Sequence, residues 1–435
     1  MNTDILEFVK SKKAQLVNCR RDLHKHAETA WTEFRTAAIV AETLTRLGYQ
    51  VAVGDAVIDA GVMMGVPSGP ELINQQKRAI AQGADPNWVE RIQGGKTGVM
   101  GVLHFAAPGP VVAFRFDMDA NDVVEATLAE HRPWREGFAS VNAGAMHACG
   151  HDGHTAIGLT LAEVLAERKS GLAGTVKLIF QPAEEGVRGA KAMVARGIVD
   201  DVDFFVGMHL GIGLKKGGTM TCNTVGFLAT TKLDAVYTGV PAHAGAAPET
   251  GQNALLAAAT AALNLHAISR HSKGASRINV GVLQAGTGRN VIPDKAVLKL
   301  ETRGTTSEIN EYMYQRALKI LEAAAAMHEV KLMVLPMGGA ANSENSPLLV
   351  ERLQRVAENS NLFASILPAG NIGGSEDCTY FMERVQQHGG QAAYLMVGAE
   401  LAAGHHDSRF DFDEESLVSA TALLGEAAVA LLRKN

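Results

Sequence analysis

The chain has 435 residues, too many for one hydrophobic core, so two or three domains are expected. Its 47% hydrophobic and 20% charged residues fit a soluble globular enzyme and exclude a disordered chain. The formal net charge of -6 comes from 40 basic and 46 acidic residues with no basic stripe, which argues against nucleic acid, and residues 1–15 carry no long apolar run of a signal peptide or membrane span.

Helical periodicity runs from Leu6 towards His24, and a second helix is expected from Trp31 to Leu47, closed by Gly48. A short strand at 50–53 precedes an excursion over 54–95, which holds a helical stretch from Glu71 to Ala81 and reads as an insertion outside the main sheet. Apolar runs at 98–105, 111–116, 176–180, 204–208 and 393–397 read as buried strands. Helices are expected at 155–168, 346–359, 375–384 and 415–432. This alternation predicts an α/β catalytic domain with a mixed central sheet over 1–222 and 336–435. Between them, 223–335 shows the order β-α-β-β-α-β and predicts an inserted α+β ferredoxin-like lid or dimerisation domain. Four cysteines at 19, 149, 222 and 378 lie too far apart for a disulfide framework, so a reducing cytoplasm is the expected compartment.

The chemistry-bearing residues fall where strands end. His147 to His154 packs three histidines, a cysteine and an aspartate into a glycine-containing segment. Cysteine, histidine and carboxylate are the side chains that hold zinc-like divalent ions. Cys149 and His151, Glu185 after the 176–180 strand, His209 after the 204–208 strand, and His405 or His406 before the last helix supply sulfur, nitrogen and oxygen donors suited to a pair of ions. The adjacent Glu184 and Glu185 can divide two tasks, one binding metal and the other moving protons. His147, Asp152 and His154 read as support.

Asp117-Met118-Asp119, His147-Ala148-Cys149-Gly150-His151-Asp152, Gln181-Pro182-Ala183-Glu184-Glu185-Gly186 and the span from His406 to Phe410 resemble the aminoacylase/carboxypeptidase family of di-metal amidohydrolases. They are closest to its branch that cleaves N-acyl and indole-acetyl amino acids, and the resemblance covers nearly the whole chain. It implies Cys149, His151, Glu185, His209 and His406 as metal ligands, Glu184 as general base, and Asp119 as a carboxylate that orients a ligand. It also implies His243 as a lid histidine that stabilises the oxyanion in a partner's active site, and Asn290 as a substrate contact. Arg303, at the end of a lid strand, could hold a substrate carboxylate. The implied cofactors are two divalent ions per subunit, manganese or zinc before cobalt or nickel. The implied partners are a small N-acyl or N-aroyl amino acid substrate and either a second copy, joined through the lid, or a homologous second subunit. The expected substrate is p-aminobenzoyl-glutamate, a folate breakdown product. A general N-acyl or indole-acetyl amino acid is the alternative, and a non-catalytic binding subunit is the reading from another class. The sequence departs from the family at Asp407-Ser408, where Ser-Pro is usual, and at Ala120-Asn121-Asp122, where Ala-Leu-Pro is usual.

Overall fold

Those apolar runs form the middle of an eight-stranded mixed sheet in the computed structural model, which describes residues 4–433. Four parallel neighbours, Ala173–Gln181, Ala107–Asp117, Phe204–Leu210 and Gln391–Val397, make its centre. Val99–His104 and Gln50–Val53 extend one side antiparallel, and Thr219–Thr221 with Ser365–Ile366 extends the other. The central strands are buried on both faces, which is why they read as continuous apolar runs rather than alternating ones. Because they run parallel, the segments that follow them emerge at the same edge of the sheet.

Two compact units divide the chain: residues 4–225, 343–373 and 377–433 in one, and 226–342 with 374–376 in the other. In the first, the helix His151–Glu167 is buried along most of its length and packs against Ala107–Asp117 and the last helix, Glu415–Leu431. It begins four residues before the expected start, so His151 is its first residue and not part of the preceding loop. The segment 54–95 contributes two helices, Gly69–Ala81 and Pro86–Arg91, which pack on the helix Phe34–Arg46.

The second unit has the order strand, helix, strand, strand, helix, strand, with Ala254–His266 and Ser307–Met327 packed on one four-stranded antiparallel sheet. Its last strand runs from Lys331 to Ala340. The boundary expected at 335/336 therefore cuts that strand, because Pro336 does not end it. A proline is accommodated here because the strand is at the sheet edge and the register shifts between Pro336 and Gly338.

Candidate metal centre

The four parallel strands bring Asp117, Gln181, His209 and Val397 to one edge, the position where open α/β sheets bind ligands. Asp119, two residues past its strand, is 1% exposed and accepts the backbone N–H groups of Glu184 (3.0 Å) and Glu185 (2.8 Å). One carboxylate thus fixes both glutamates through their backbone. The turn they occupy is strained: Ala183 and Val187 both have positive φ, at 53° and 59°. Such values are rare outside glycine and cluster where surrounding contacts impose them. Buried Glu33 is one such contact, since it accepts the N–H of Ala183 at 2.8 Å and the hydroxyl of Thr97 at 2.6 Å. Burial and the nearby charge of Asp119 push its carboxyl up to about 8.

Donor atoms converge above this turn. Cys149, His151 and His209 place ligand atoms within 4.8 Å of one another, and so do Cys149, Glu185 and His406. Cys149 belongs to both groups. His151, Glu184 and Glu185 form a third cluster. His151 donates its Nδ1–H to the Asp119 carbonyl at 2.9 Å, and His209 donates its Nδ1–H to the Leu210 carbonyl at 2.8 Å. Each Nδ1 is thus taken by a backbone carbonyl, which leaves Nε2 as the nitrogen that could meet an ion. The His151 Nε2 is buried without a hydrogen-bond partner among the described residues, and the buried Glu185 Oε1 has the His406 Nε2 at 3.4 Å. A buried polar atom left unpaired costs free energy unless a ligand satisfies it, and this S/N/O set fits divalent ions.

The electrostatics of the cluster pull its members in different directions. Burial alone would raise Glu185, but hydrogen bonding to His406 and the charge of His151 hold it at about 2. Hydrogen bonds to Cys149 and Glu185 raise His406 to about 10. His209, by contrast, is kept neutral by burial, with its neighbouring histidines lowering it further. Burial and the Glu185 charge push the Cys149 thiol up.

Of the two adjacent histidines, His406 joins the cluster. It has φ 66°, its N–H bonds the Ala148 carbonyl at 2.7 Å, and its Nε2 lies 3.4 Å from Glu185. His405 turns away, packs against Phe410 with the rings tilted by 42°, and sits 3.3 Å from the Leu210 carbonyl. His154 has no nitrogen left for an ion: Nδ1 meets Asp117 at 2.5 Å and Nε2 accepts the Leu210 N–H at 3.0 Å. Asp152 bonds Arg20 and His24, each at 2.8 Å, and so anchors the octet to the helix Lys13–Lys25.

Sequence reasoning assigned no role to Asp117 or Glu33. Asp117 had a usable signal, because alternation along an extended segment puts residues 117 and 119 on the same side. It pairs with Arg115 and His154. Glu33 had none, since it meets the 183–188 turn only through the fold.

In the second unit, His243 and Asn290 are neighbours: the Ala244 N–H bonds the Asn290 carbonyl at 3.0 Å, and both side chains are exposed. The His243 Nδ1 accepts the N–H groups of Gly245 and Ala246 at 3.1 and 3.0 Å. Arg303 stands at the far end of the strand Lys295–Gly304, eight residues and roughly 26 Å from Lys295. There it faces Arg277 across the sheet and pairs with Glu301 at 2.9 Å.

A profile of peptidase family M20/M25/M40 matches residues 113–430. The chain is 52% identical to one of the subunits of p-aminobenzoyl-glutamate hydrolase from Escherichia coli (strain K12) over 424 residues, covering 97% of each. It is 51% identical to indole-3-acetyl-aspartic acid hydrolase of Enterobacter agglomerans, again with 97% of each covered. The crystal structure of the aminobenzoyl-glutamate utilization protein from Klebsiella pneumoniae superposes with a TM-score of 0.84 at 44% identity, covering 98% of both chains.

Proposed function

The chain belongs to peptidase family M20/M25/M40, and from that membership we propose a di-metal amidase that releases an acidic amino acid from an acyl or aroyl group, with p-aminobenzoyl-glutamate as its substrate. The observation that carries this is the pair of donor groups sharing Cys149, set beside Glu184 at the ends of four parallel strands. Bound divalent ions, manganese or zinc before cobalt or nickel, would polarise the amide carbonyl and acidify the attacking water.

The chain's own residues do the rest. Cys149, His151, Glu185, His209 and His406 hold the ions. Glu184, 9% exposed and 3.9 Å from the His151 Nε2, takes the proton of the attacking water and passes it to the leaving nitrogen. Asp119 holds Glu184 and Glu185 in register through their N–H groups. The Nδ1 of His243 is occupied by backbone, so its proton sits on Nε2, available to an oxyanion. Since His243 and Asn290 lie at one end of the second unit's sheet and Arg303 at the other, a substrate that meets all three draws on two chains. That supports a dimer formed through the 223–335 domain, with a second copy or with a homologous partner chain. The Escherichia coli relative, named as one subunit of its enzyme, supports the same reading. The four free cysteines fit the cytoplasm, and no helix among the described residues is long and apolar enough to cross a membrane.

A second reading is set by the near-equal identity to the indole-3-acetyl-aspartic acid hydrolase. The metal-loaded protein should be assayed with p-aminobenzoyl-glutamate, indole-3-acetyl-aspartate and N-acetyl amino acids. Preference for the first is expected. Turnover of the second alone would move the assignment to that substrate, and turnover of none, by a fully metal-loaded protein supplied with any partner chain, would support a binding role instead.

A further inference from the structure

Arg188 lies on the same closed turn as the two glutamates and, among the described residues, forms no ion pair. Its backbone N–H bonds the Ala183 carbonyl at 3.0 Å, which folds residues 183–188 back on themselves. Other arginines of this unit meet carboxylates: Arg115 with Asp117, Arg78 with Glu28, Arg35 with Asp22. Among the described residues Arg188 has one hydrogen bond, to the Gly65 carbonyl at 3.3 Å, and its buried Nε has no partner. A guanidinium carries five donors, so four remain unused in a setting that is partly screened from water.

The surrounding chain is shaped to hold that group. Gly186 has φ 85°, and a Cβ there would lie 2.5 Å from the Arg188 Nε. Gly65 has φ 61°, and its Cβ would lie 3.2 Å from the Arg188 Nη1. The two glycines leave room for the guanidinium: a side chain at 186 would force it to shift, and one at 65 would crowd it. Gly65 belongs to the 54–95 segment, whose position is set by the Trp31 indole N–H on the Met64 carbonyl (2.8 Å) and by the Asp59 N–H on the Ala192 carbonyl (2.9 Å). That segment therefore builds one wall of the arginine's slot.

We propose that Arg188 binds a carboxylate of the amino acid on the leaving side of the amide and sets the preference for acidic over neutral amino acids. This rests on the amidase reading above. Both named relatives have substrates that end in a dicarboxylic amino acid, glutamate in one and aspartate in the other, while their acyl groups differ. The leaving nitrogen takes its proton from Glu184, so the amino acid it carries sits beside the turn that bears Arg188. A planar fork with free N–H groups matches a carboxylate in bidentate fashion, a fit an ammonium does not reproduce.

The test compares kcat/KM for p-aminobenzoyl-glutamate and p-aminobenzoyl-glutamine in the metal-loaded wild type, Arg188→Gln and Arg188→Lys. The glutamate-to-glutamine ratio is expected to fall about 100-fold in Arg188→Gln, mostly through KM, with partial recovery in Arg188→Lys. A merely structural arginine would, on removal, disturb the Glu184 turn and slow both substrates alike, so an unchanged ratio overturns the proposal. Should the wild type cleave neither amide, the amidase reading fails. The arginine site is then judged by equilibrium binding of p-aminobenzoyl-glutamate, where equal affinity for wild type and Arg188→Gln, or no binding to either, overturns it.

Discussion

His209 and His243 are held in opposite ways. His209 is 2% exposed, its ring is fixed by the Leu210 carbonyl and surrounded by other rings, and burial keeps it neutral. His243 is exposed and held only by two backbone N–H groups a few residues away. The first is preorganised: its orientation and protonation are determined before any substrate arrives. The second has a defined tautomer but no partner for its free nitrogen within its own unit's described hydrogen bonds, so its chemistry depends on what is brought to it.

The strongest way to break this contrast is at the shared donor. Cys149→Ala should lose bound metal and reduce kcat/KM by roughly 10⁴-fold or more, since the ions' electrostatic work is worth several kcal/mol. Unchanged metal stoichiometry by elemental analysis would remove Cys149 from the ligand set. Glu184→Gln should keep both ions while kcat falls about 10²- to 10⁴-fold, the usual worth of a general acid–base.

On the exposed side, His243→Ala should lower kcat about 10²- to 10³-fold, as for other oxyanion donors, with little change in thermal midpoint because the side chain is exposed and its two bonds are to backbone N–H groups two and three residues away. If His243 serves a second chain, mixing His243→Ala with Glu184→Gln protomers should restore part of the activity. No recovery in a mixture shown to exchange protomers would confine His243 to its own chain.

The difference between the two sites also explains what was legible in the sequence. The candidate cluster was legible in two ways: Glu184, Glu185 and His209 lie at or just past the ends of parallel strands, which reach one edge, while Cys149 and His151 stand out by their own spacing at the start of the helix His151–Glu167, far from any strand end. The order of the second unit was legible for the same reason, as alternating periodicities. Contacts that depend on distant segments were not. Glu33 reaches Ala183 across 150 positions, and Arg20 meets Asp152, Asp411 and Glu414 from the far N-terminus. Nor could spacing choose between His405 and His406, because adjacent residues in an irregular loop diverge by backbone angle, here the positive φ of His406.

The Arg20 network gives a smaller, stability-based prediction. Its guanidinium is fully buried among three carboxylates, so Arg20→Met should cost roughly 3–5 kcal/mol, the scale for breaking a buried ion pair. Burial would raise Asp411 and Glu414, yet Arg20, Arg132 and Arg21 hold both below the usual carboxylate range. Depressed carboxyls contribute stability that is present above their unfolded values near pH 4 and lost as pH falls through the folded ones. Urea midpoints of metal-stripped wild type and Arg20→Met should therefore differ more at about pH 7 than at about pH 3.5. An equal gap at both would show that the loss is packing rather than charge.

The smallest effect sharpens the assignment of the last ligand. His405 is lowered to about 4 by burial, makes a long contact with the Leu210 carbonyl, and packs on Phe410. A neutral ring that does not meet Glu185 or Cys149 contributes orientation and packing, not coordination. His405→Gln should leave both ions in place and lower kcat/KM by about ten-fold or less, the lower end for a group that supports metal ligands. His406→Gln should instead release metal, because its Nε2 is the nitrogen grouped with Cys149 and Glu185. Metal content decides between the two histidines even where activity falls in both variants: loss of an ion from the His405 variant, with retention in the other, would exchange their roles.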